Sequence, residues 1–342
     1  MNFRLFAVVV LVALATAAFA GYRTVETWLA TPLEIEGDAL SLEIPRGQAL
    51  AATAAELADR GVLKHPRWLE AYARYTGADQ RIHAGEYRIS PGTTPKDLLE
   101  TLQAGEVVQH AITLVEGKTF RDFRAALESE SKLIGKLKSM TDAEVMTALG
   151  EPGRHPEGLF FPDTYFFDKG TSDLELLARA RERLQQELDA AWRDRSDDIP
   201  IATPYEALVL ASIVEKETAL ASERPRIAGV MTARLRKGMR LQTDPTVIYG
   251  MGPDFDGNLR RADLESDTPY NTYTRTGLPP TPIAMVSADA IRAAVQPDER
   301  GEFYFVATGL PDGSHKFSRT LAEHRRAVNE YLARYRKQNK GR

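Results

Sequence analysis

Ile44-Pro45-Arg46-Gly47, followed ten residues later by Leu57, is a pattern the chain uses three times. It returns as Ile89-Ser90-Pro91-Gly92 with Leu102, and as Leu114-Val115-Glu116-Gly117 with Leu127. Each copy predicts a strand end, a turn at the glycine and an amphipathic helix whose leucine packs back onto the strand. The copies start 45 and then 25 residues apart, and three copies at irregular spacing argue for small α+β units rather than a repeat array. Between the first two copies, His65-Pro66-Arg67-Trp68 opens a predicted helix through Tyr72 and Tyr75, and Gly85-Glu86-Tyr87-Arg88-Ile89 reads as a returning strand. Residues 38–110 are therefore expected to form a compact α+β module.

Outside this module the chain divides by composition. Its 342 residues suggest two folded domains, and 43% hydrophobic with 27% charged residues is the balance of a globular protein. The formal charge of −4 gives no electrostatic reason to expect a nucleic-acid partner. The absence of cysteine removes thiol nucleophiles, thiolate zinc sites and disulfides together. No H-E-x-x-H, G-x-S-x-G or P-loop spacing occurs, so neither a metal nor a cofactor is expected. Asp254-Phe255-Asp256-Gly257-Asn258 lacks the glycine position and closing glutamate of a calcium loop and reads as a turn.

The N-terminus points to a membrane. An uninterrupted run of apolar or small residues from Leu5 to Ala20 follows Arg4, and the next charge is Arg23. With Phe3, Gly21 and Tyr22 in the interfaces the run reaches the roughly 20 residues of a span. Ala18-Phe19-Ala20 keeps a cleavable signal peptide open as the alternative. The charge bias leans towards a cytoplasmic N-terminus, which leaves everything after Tyr22 outside the cytoplasm.

Further along, the charged stretch 128–156 reads as a helix and a hinge near 150–156. Ser172-Asp173-Leu174-Glu175 is a capping box opening a long helix, Ser222 is placed to cap another that stops at Lys237-Gly238, and Thr320-Leu321-Ala322-Glu323 caps a basic terminal helix. Glu302–Ala307 alternates as a strand, with a turn at Pro311-Asp312-Gly313.

The chemistry is expected where Pro204-Tyr-Glu-Ala-Leu-Val-Leu-Ala-Ser-Ile-Val-Glu-Lys-Glu-Thr218, apolar around most of its circumference, ends in two carboxylates. A helix of that kind is buried. Glu215 and Glu217 are two residues apart, about 200° around the axis, so one cleft can take only one of them. Beside apolar walls such a carboxyl loses solvation and its pKa rises, the property of a general acid; a salt-bridged helix terminus is the alternative. The stretches 240–250 and 268–280, rich in hydroxyls, amides and tyrosines, suit a sugar-binding cleft, because sugars offer C–H faces and many hydroxyls without net charge. The Pro156–Tyr165 stretch has the same mixture.

Small strand–helix modules like residues 38–110 resemble LysM domains, which bind N-acetylated glycans. Pro-Glu-Gly-Leu-Phe-Phe-Pro-Asp-Thr-Tyr at 156–165, Ala-Ser-Ile-Val-Glu-Lys-Glu-Thr at 211–218, Met-Arg-Leu-Gln-Thr-Asp-Pro-Thr-Val-Ile-Tyr-Gly at 239–250 and Tyr-Asn-Thr-Tyr at 270–273 together make the chain similar, over nearly its whole length, to the endolytic murein transglycosylases, the MltG/YceG-like family. The resemblance implies cleavage within peptidoglycan strands between N-acetylmuramic acid and N-acetylglucosamine, leaving 1,6-anhydromuramyl ends and terminating strand elongation. It implies a single catalytic glutamate, carried to Glu217 with Glu215 as the alternative. Gln242, Thr243, Asp244, Asn271 and Tyr273 are the expected substrate-binding residues. It also implies penicillin-binding synthases and other cell-wall assembly proteins as partners. The expected fold class is α+β: a membrane anchor over 1–22, a LysM-like module over 38–110 and a catalytic domain over 111–340. The expected location is the inner (cytoplasmic) membrane, single-pass, with the catalytic domain on the periplasmic side. The rival functions are a non-catalytic glycan-binding scaffold and a hydrolytic muramidase.

Overall fold

The computed structural model describes residues 3–339, so Met1, Asn2 and the α-amine of the expected anchor, and residue 340 of the expected catalytic domain, lie outside the described residues. The chain is α+β and falls into two compact units. The first runs to His110 and takes in Phe166–Thr171; the second comprises Ala111–Tyr165 and the chain from Ser172 onward, including residues 150–156.

In the first unit, α1 (Phe3–Leu29) is one continuous helix that carries on past Tyr22, and its Ala7–Leu29 part is long and apolar enough on average to cross a membrane. There follow β1 (Leu40–Ile44), α2 (Leu50–Asp59), α3 (Pro66–Thr76), β2 (Gly85–Ile89) and α4 (Pro95–Ala104). The two strands pair antiparallel with Leu40 opposite Ile89 and Ile44 opposite Gly85. Strict alternation turns Leu40, Leu42 and Ile44 inward, where they share one core with Leu57, Leu69, Tyr87 and Leu102. The repeated pattern is therefore structural: Ile44 and Ile89 end strands, while Leu57 and Leu102 return from the following helices to the same core. Gly47, Gly92 and Gly117 all adopt positive φ, between 71° and 90°, which is the reason the pattern carries glycine at that position.

The chain passes from the first unit to the second within β3 (Gln109–Thr113), and β4 (Thr164–Asp168) is likewise divided between them after Tyr165. Between these strands in the chain lie α5 (Phe120–Ser129) and α6 (Asp142–Ala148). After β4 come α7 (Asp173–Arg193), α8 (Pro204–Glu217), α9 (Arg224–Arg236), α10 (Asp244–Met251), α11 (Arg261–Glu265) and α12 (Ala288–Val295). An antiparallel hairpin, β5 (Tyr304–Ala307) with β6 (His315–Ser318), then packs against α13 (Leu321–Asn339). Helix α8 is the centre: every residue from Ala207 to Glu215 is buried, and α7, α9, α10 and α12 pack around it. Its start is set by Thr203, whose hydroxyl accepts the Glu206 N–H, and by Pro204 in the first turn.

The capping boxes at Ser172 and Thr320 form as the sequence predicts. Ser222 does not cap α9. It lies in a 3₁₀ turn, Ala221–Glu223, and the helix starts at Arg224 with Pro225, whose fixed φ suits a first turn, in place of a capping side chain. The predicted strand at 302–307 begins only at Tyr304: the Phe303 N–H donates to Ser318 O at 3.0 Å, but the Phe303 carbonyl is taken by Arg234 Nε at 2.6 Å.

Close packing behind α9 gives one measurable consequence. A Cβ on Gly229 would stand 2.2 Å from the backbone oxygen of Asp298, whose own N–H is held by Pro225 O at 2.9 Å. Gly229→Ala is expected to lower stability by about 1–3 kcal/mol, read as an earlier urea midpoint. An unchanged midpoint would show that the 298 loop yields freely.

Candidate active site

The two carboxylates at the end of α8 have opposite surroundings. Glu215 is buried and fully engaged: one oxygen accepts Arg224 Nη2 at 2.8 Å, the other accepts the Ser287 N–H at 3.0 Å and the Ser287 hydroxyl. It straps α8 to α9 and to the first turn of α12, where Ser287 is the N-cap. Glu217, two residues on, has no cation within ion-pair distance among the described residues, and its neighbour Lys216 turns away to donate to Gly117 O at 3.0 Å. Burial pushes the Glu217 carboxyl up from its ordinary value, and the Asp244 carboxylate pushes it further; the Thr243 hydroxyl, His315 and Arg234 act in the opposite sense. The Thr243 hydroxyl lies near the carboxyl but outside hydrogen-bond geometry, since its buried oxygen has no protein partner.

The loop facing Glu217 is held from behind. Buried Arg234, on α9, donates to Leu241 O and Phe303 O, both at 2.6 Å, fixing the backbone that presents 242–244. Thr243 N–H donates to the Thr272 hydroxyl at 3.1 Å, and the Thr246 and Thr272 hydroxyls meet at 2.9 Å. Gln242 is the only residue other than glycine at positive φ among the described residues, at 49°, with an exposed side chain. A non-glycine residue in that region stores about 1–3 kcal/mol of strain and persists where the surroundings over-determine it.

Of the predicted residues, Thr243, Asp244 and Tyr273 gather with Glu217; the Tyr273 hydroxyl donates to the Asp244 carboxylate, and burial raises its pKa. Gln242 stands exposed beside them. Asn271 has a different place. Its side chain is completely buried, its amide donates to Asp263 O, Leu264 O and Ser266 O, and its oxygen accepts the Tyr273 N–H at 2.8 Å. It shapes the loop carrying Tyr273 and presents no free donor to a substrate.

A groove of about 840 Å³ lies in the same unit, walled by Lys216 from α8 and Pro245 from α10, and lined by Tyr249, Tyr270, Phe255 and Glu157. Glu217 and Asp244 are the sequence neighbours of the two wall residues rather than lining residues themselves. The sequence drew attention to the 156–165 stretch but not to the Glu157 carboxyl. Its oxygens accept the Phe120 N–H at 3.0 Å and the Tyr249 hydroxyl at 3.1 Å. Burial dominates over these hydrogen bonds and lifts its pKa from 4.5 to about 7. An acid placed directly before the apolar run Leu159-Phe160-Phe161 is the signal that could have marked it.

A pH dependence of stability follows. The native state keeps a proton on Glu157 that the unfolded chain releases near 4.5. The stability from this group is therefore complete below that pH and is lost as pH rises through about 7, by about 3 kcal/mol in total. Glu157→Gln is expected to flatten that part of the decline in urea unfolding between pH 5 and pH 8. Equal declines in both proteins would contradict the assignment.

Residues 42–330 match the family model of the YceG-like family. The endolytic murein transglycosylase of Bacillus subtilis is 32% identical, over 86% of this chain and 85% of its own length. Those of two Streptococcus pneumoniae strains are 27% identical over 96% of this chain, which spans 65% of their length. The crystal structure of a YceG-like protein from Listeria monocytogenes superposes with a TM-score of 0.53 at 29% identity, covering 84% of this chain and 99% of that one.

Proposed function

The chain belongs to the YceG-like family, and from that premise we propose that it is a peptidoglycan lytic transglycosylase, a lyase, with Glu217 as its catalytic acid and base. The observation that carries the assignment is the contrast on α8: Glu215 is tied into Arg224 and Ser287, whereas Glu217 is desolvated, raised in pKa and, among the described residues, paired with no cation.

The chemistry needs one carboxyl in two roles. Protonated Glu217 gives its proton to the glycosidic oxygen between N-acetylmuramic acid and N-acetylglucosamine as that bond breaks. The resulting carboxylate takes the proton of the muramyl 6-hydroxyl, whose oxygen attacks the anomeric carbon and closes the 1,6-anhydro ring. No water enters, and no carboxylate nucleophile is obligatory. Asp244 and the Tyr273 hydroxyl position the sugar, with Thr243 Oγ1 offering an unengaged hydroxyl and Gln242 an exposed amide. Asn271 acts through the loop it holds. Cleavage within nascent strands terminates their elongation.

The first unit serves as a glycan-holding, LysM-like module, and α1 as a single-pass anchor with its N-terminus in the cytoplasm. Penicillin-binding synthases are the protein partners this reading adds, testable by co-purification. One observation favours a hydrolytic reading: the Asp244 carboxylate next to Glu217 could serve as the base for a water. Mass spectrometry of glycan strands digested by the full chain decides. Anhydromuramyl ends are expected; reducing ends, heavier by one water, would establish a muramidase, and intact strands would leave only a scaffold. Activity is also expected to fall as pH rises through the raised pKa of Glu217, because the acid must begin protonated.

A further inference from the structure

Beside the point where α1 leaves its apolar run, the first unit carries a second groove, of about 790 Å³. Tyr22, Val25 and Leu29 of α1 form one side, and Trp68, Tyr72 and Tyr75 of α3 the other, with Lys96 and Asp97 of α4 also lining it. The two helices are pinned by rings: Trp28 meets Trp68 edge-on at 5.6 Å, and His65 stacks on Trp68 at 4.3 Å. Tyr75 nevertheless stands 89% exposed and Tyr22 63%, so exposed aromatic rings flank the groove on both sides.

We propose that this aromatic face lies on the bilayer, with Tyr72, Tyr75 and the groove itself set among phospholipid headgroups. The inference rests on the reading of α1 as a membrane anchor, and what argues for lipid as the occupant is continuity with that anchor. The run of aliphatic, phenylalanine and small residues that starts at Leu5 ends at Ala20, yet α1 continues to Leu29. At 1.5 Å per residue this extension is about 13 Å, and the headgroup layer on each side of a bilayer is about 5–8 Å deep. The groove-lining residues Tyr22 and Val25 thus fall within that layer, and Leu29 just beyond it. Arg23 and Glu26, ion-paired at 3.3 Å and exposed, keep this turn of the helix out of the hydrocarbon. Tryptophan and tyrosine are the residues enriched at this depth. A first unit seated in this way is held at a fixed tilt rather than swinging on α1.

The chain has no cysteine, so a single labelling site can be introduced cleanly. Full-length Tyr75→Cys, carrying an environment-sensitive fluorophore, is reconstituted into vesicles of phosphatidylethanolamine and phosphatidylglycerol. The expected result is a blue-shifted emission, quenched more strongly by lipids with a nitroxide near the headgroup than by iodide in the water. Water-like emission open to iodide would overturn the proposal, as would quenching that appears only when a polyprenyl phosphate is added or that scales with protein density, which would identify a wall-precursor lipid or a second copy as the occupant. Flotation separates the two readings. A chain that floats with the vesicles but keeps its label in water loses only this inference, whereas one that does not float loses the anchor and the inference together.

Discussion

Glu217→Gln is expected to lower cleavage of glycan strands by about 10²–10⁴-fold, while the protein unfolds at the same urea concentration as the wild type or a higher one. The loss is large because one carboxyl serves both proton transfers, and an amide of the same shape can perform neither. Stability is retained because the carboxyl has no cation to lose and is disfavoured as an anion by burial and by Asp244. The sign can be checked against pH. A carboxyl whose folded pKa is raised lowers native stability as pH climbs through it, so the variant gains on the wild type at pH 8 and not at pH 4. Rate and unfolding midpoint, measured on the same preparations, test the assignment together. A variant that stays folded and releases muropeptides at the wild-type rate would remove Glu217 from the chemistry.

Glu215→Ala is expected to fail in the other way, through the fold. The change leaves the buried Arg224 guanidinium without its carboxylate and strips the Ser287 N–H of its acceptor. Breaking one side of a buried pair costs about 3–5 kcal/mol, a large part of the stability of most domains. Urea unfolding should show the unfolding free energy falling by that amount and the midpoint falling with it, with activity lost in proportion to the folded fraction. The isosteric Glu215→Gln keeps one acceptor for Ser287, so it should lose less stability and recover activity wherever it is folded. An unaltered midpoint combined with a complete loss of turnover in both substitutions would exchange the roles of the two glutamates.

The comparison of these residues shows how far the local pattern reached. The α+β elements were legible because their causes are short-range: Ile44, Gly47 and Leu57 are linked by alternation, a left-handed turn and helical periodicity, and the same holds for Ile89, Gly92 and Leu102. The boundaries at Ser172 and Thr320 were legible for the same reason, since a capping box is closed within four residues. Ser222 misled because the same residue type can sit in a 3₁₀ turn when a proline in the next turn starts the helix unaided.

The site was legible only in outline. Residue types near 211–218, 239–250 and 268–280 marked where sugar chemistry belongs, and helical geometry established that Glu215 and Glu217 must point apart. Which of them is free depends on Ser287, 72 residues away in the chain, and the Tyr249 hydroxyl that opposes the raised pKa of Glu157 lies 92 residues away. Asn271 looks like a sugar ligand by type and becomes a loop brace only when three backbone carbonyls converge on its amide. Periodicity, capping and turn residues act over a few positions and are written into the order of the amino acids; desolvation and the pairing of a buried charge depend on whatever distant segments the folded chain brings beside it. The sequence alone therefore determined the elements, the family resemblance and the two candidate carboxylates, and the tertiary structure decided that Glu215 is held and Glu217 is not.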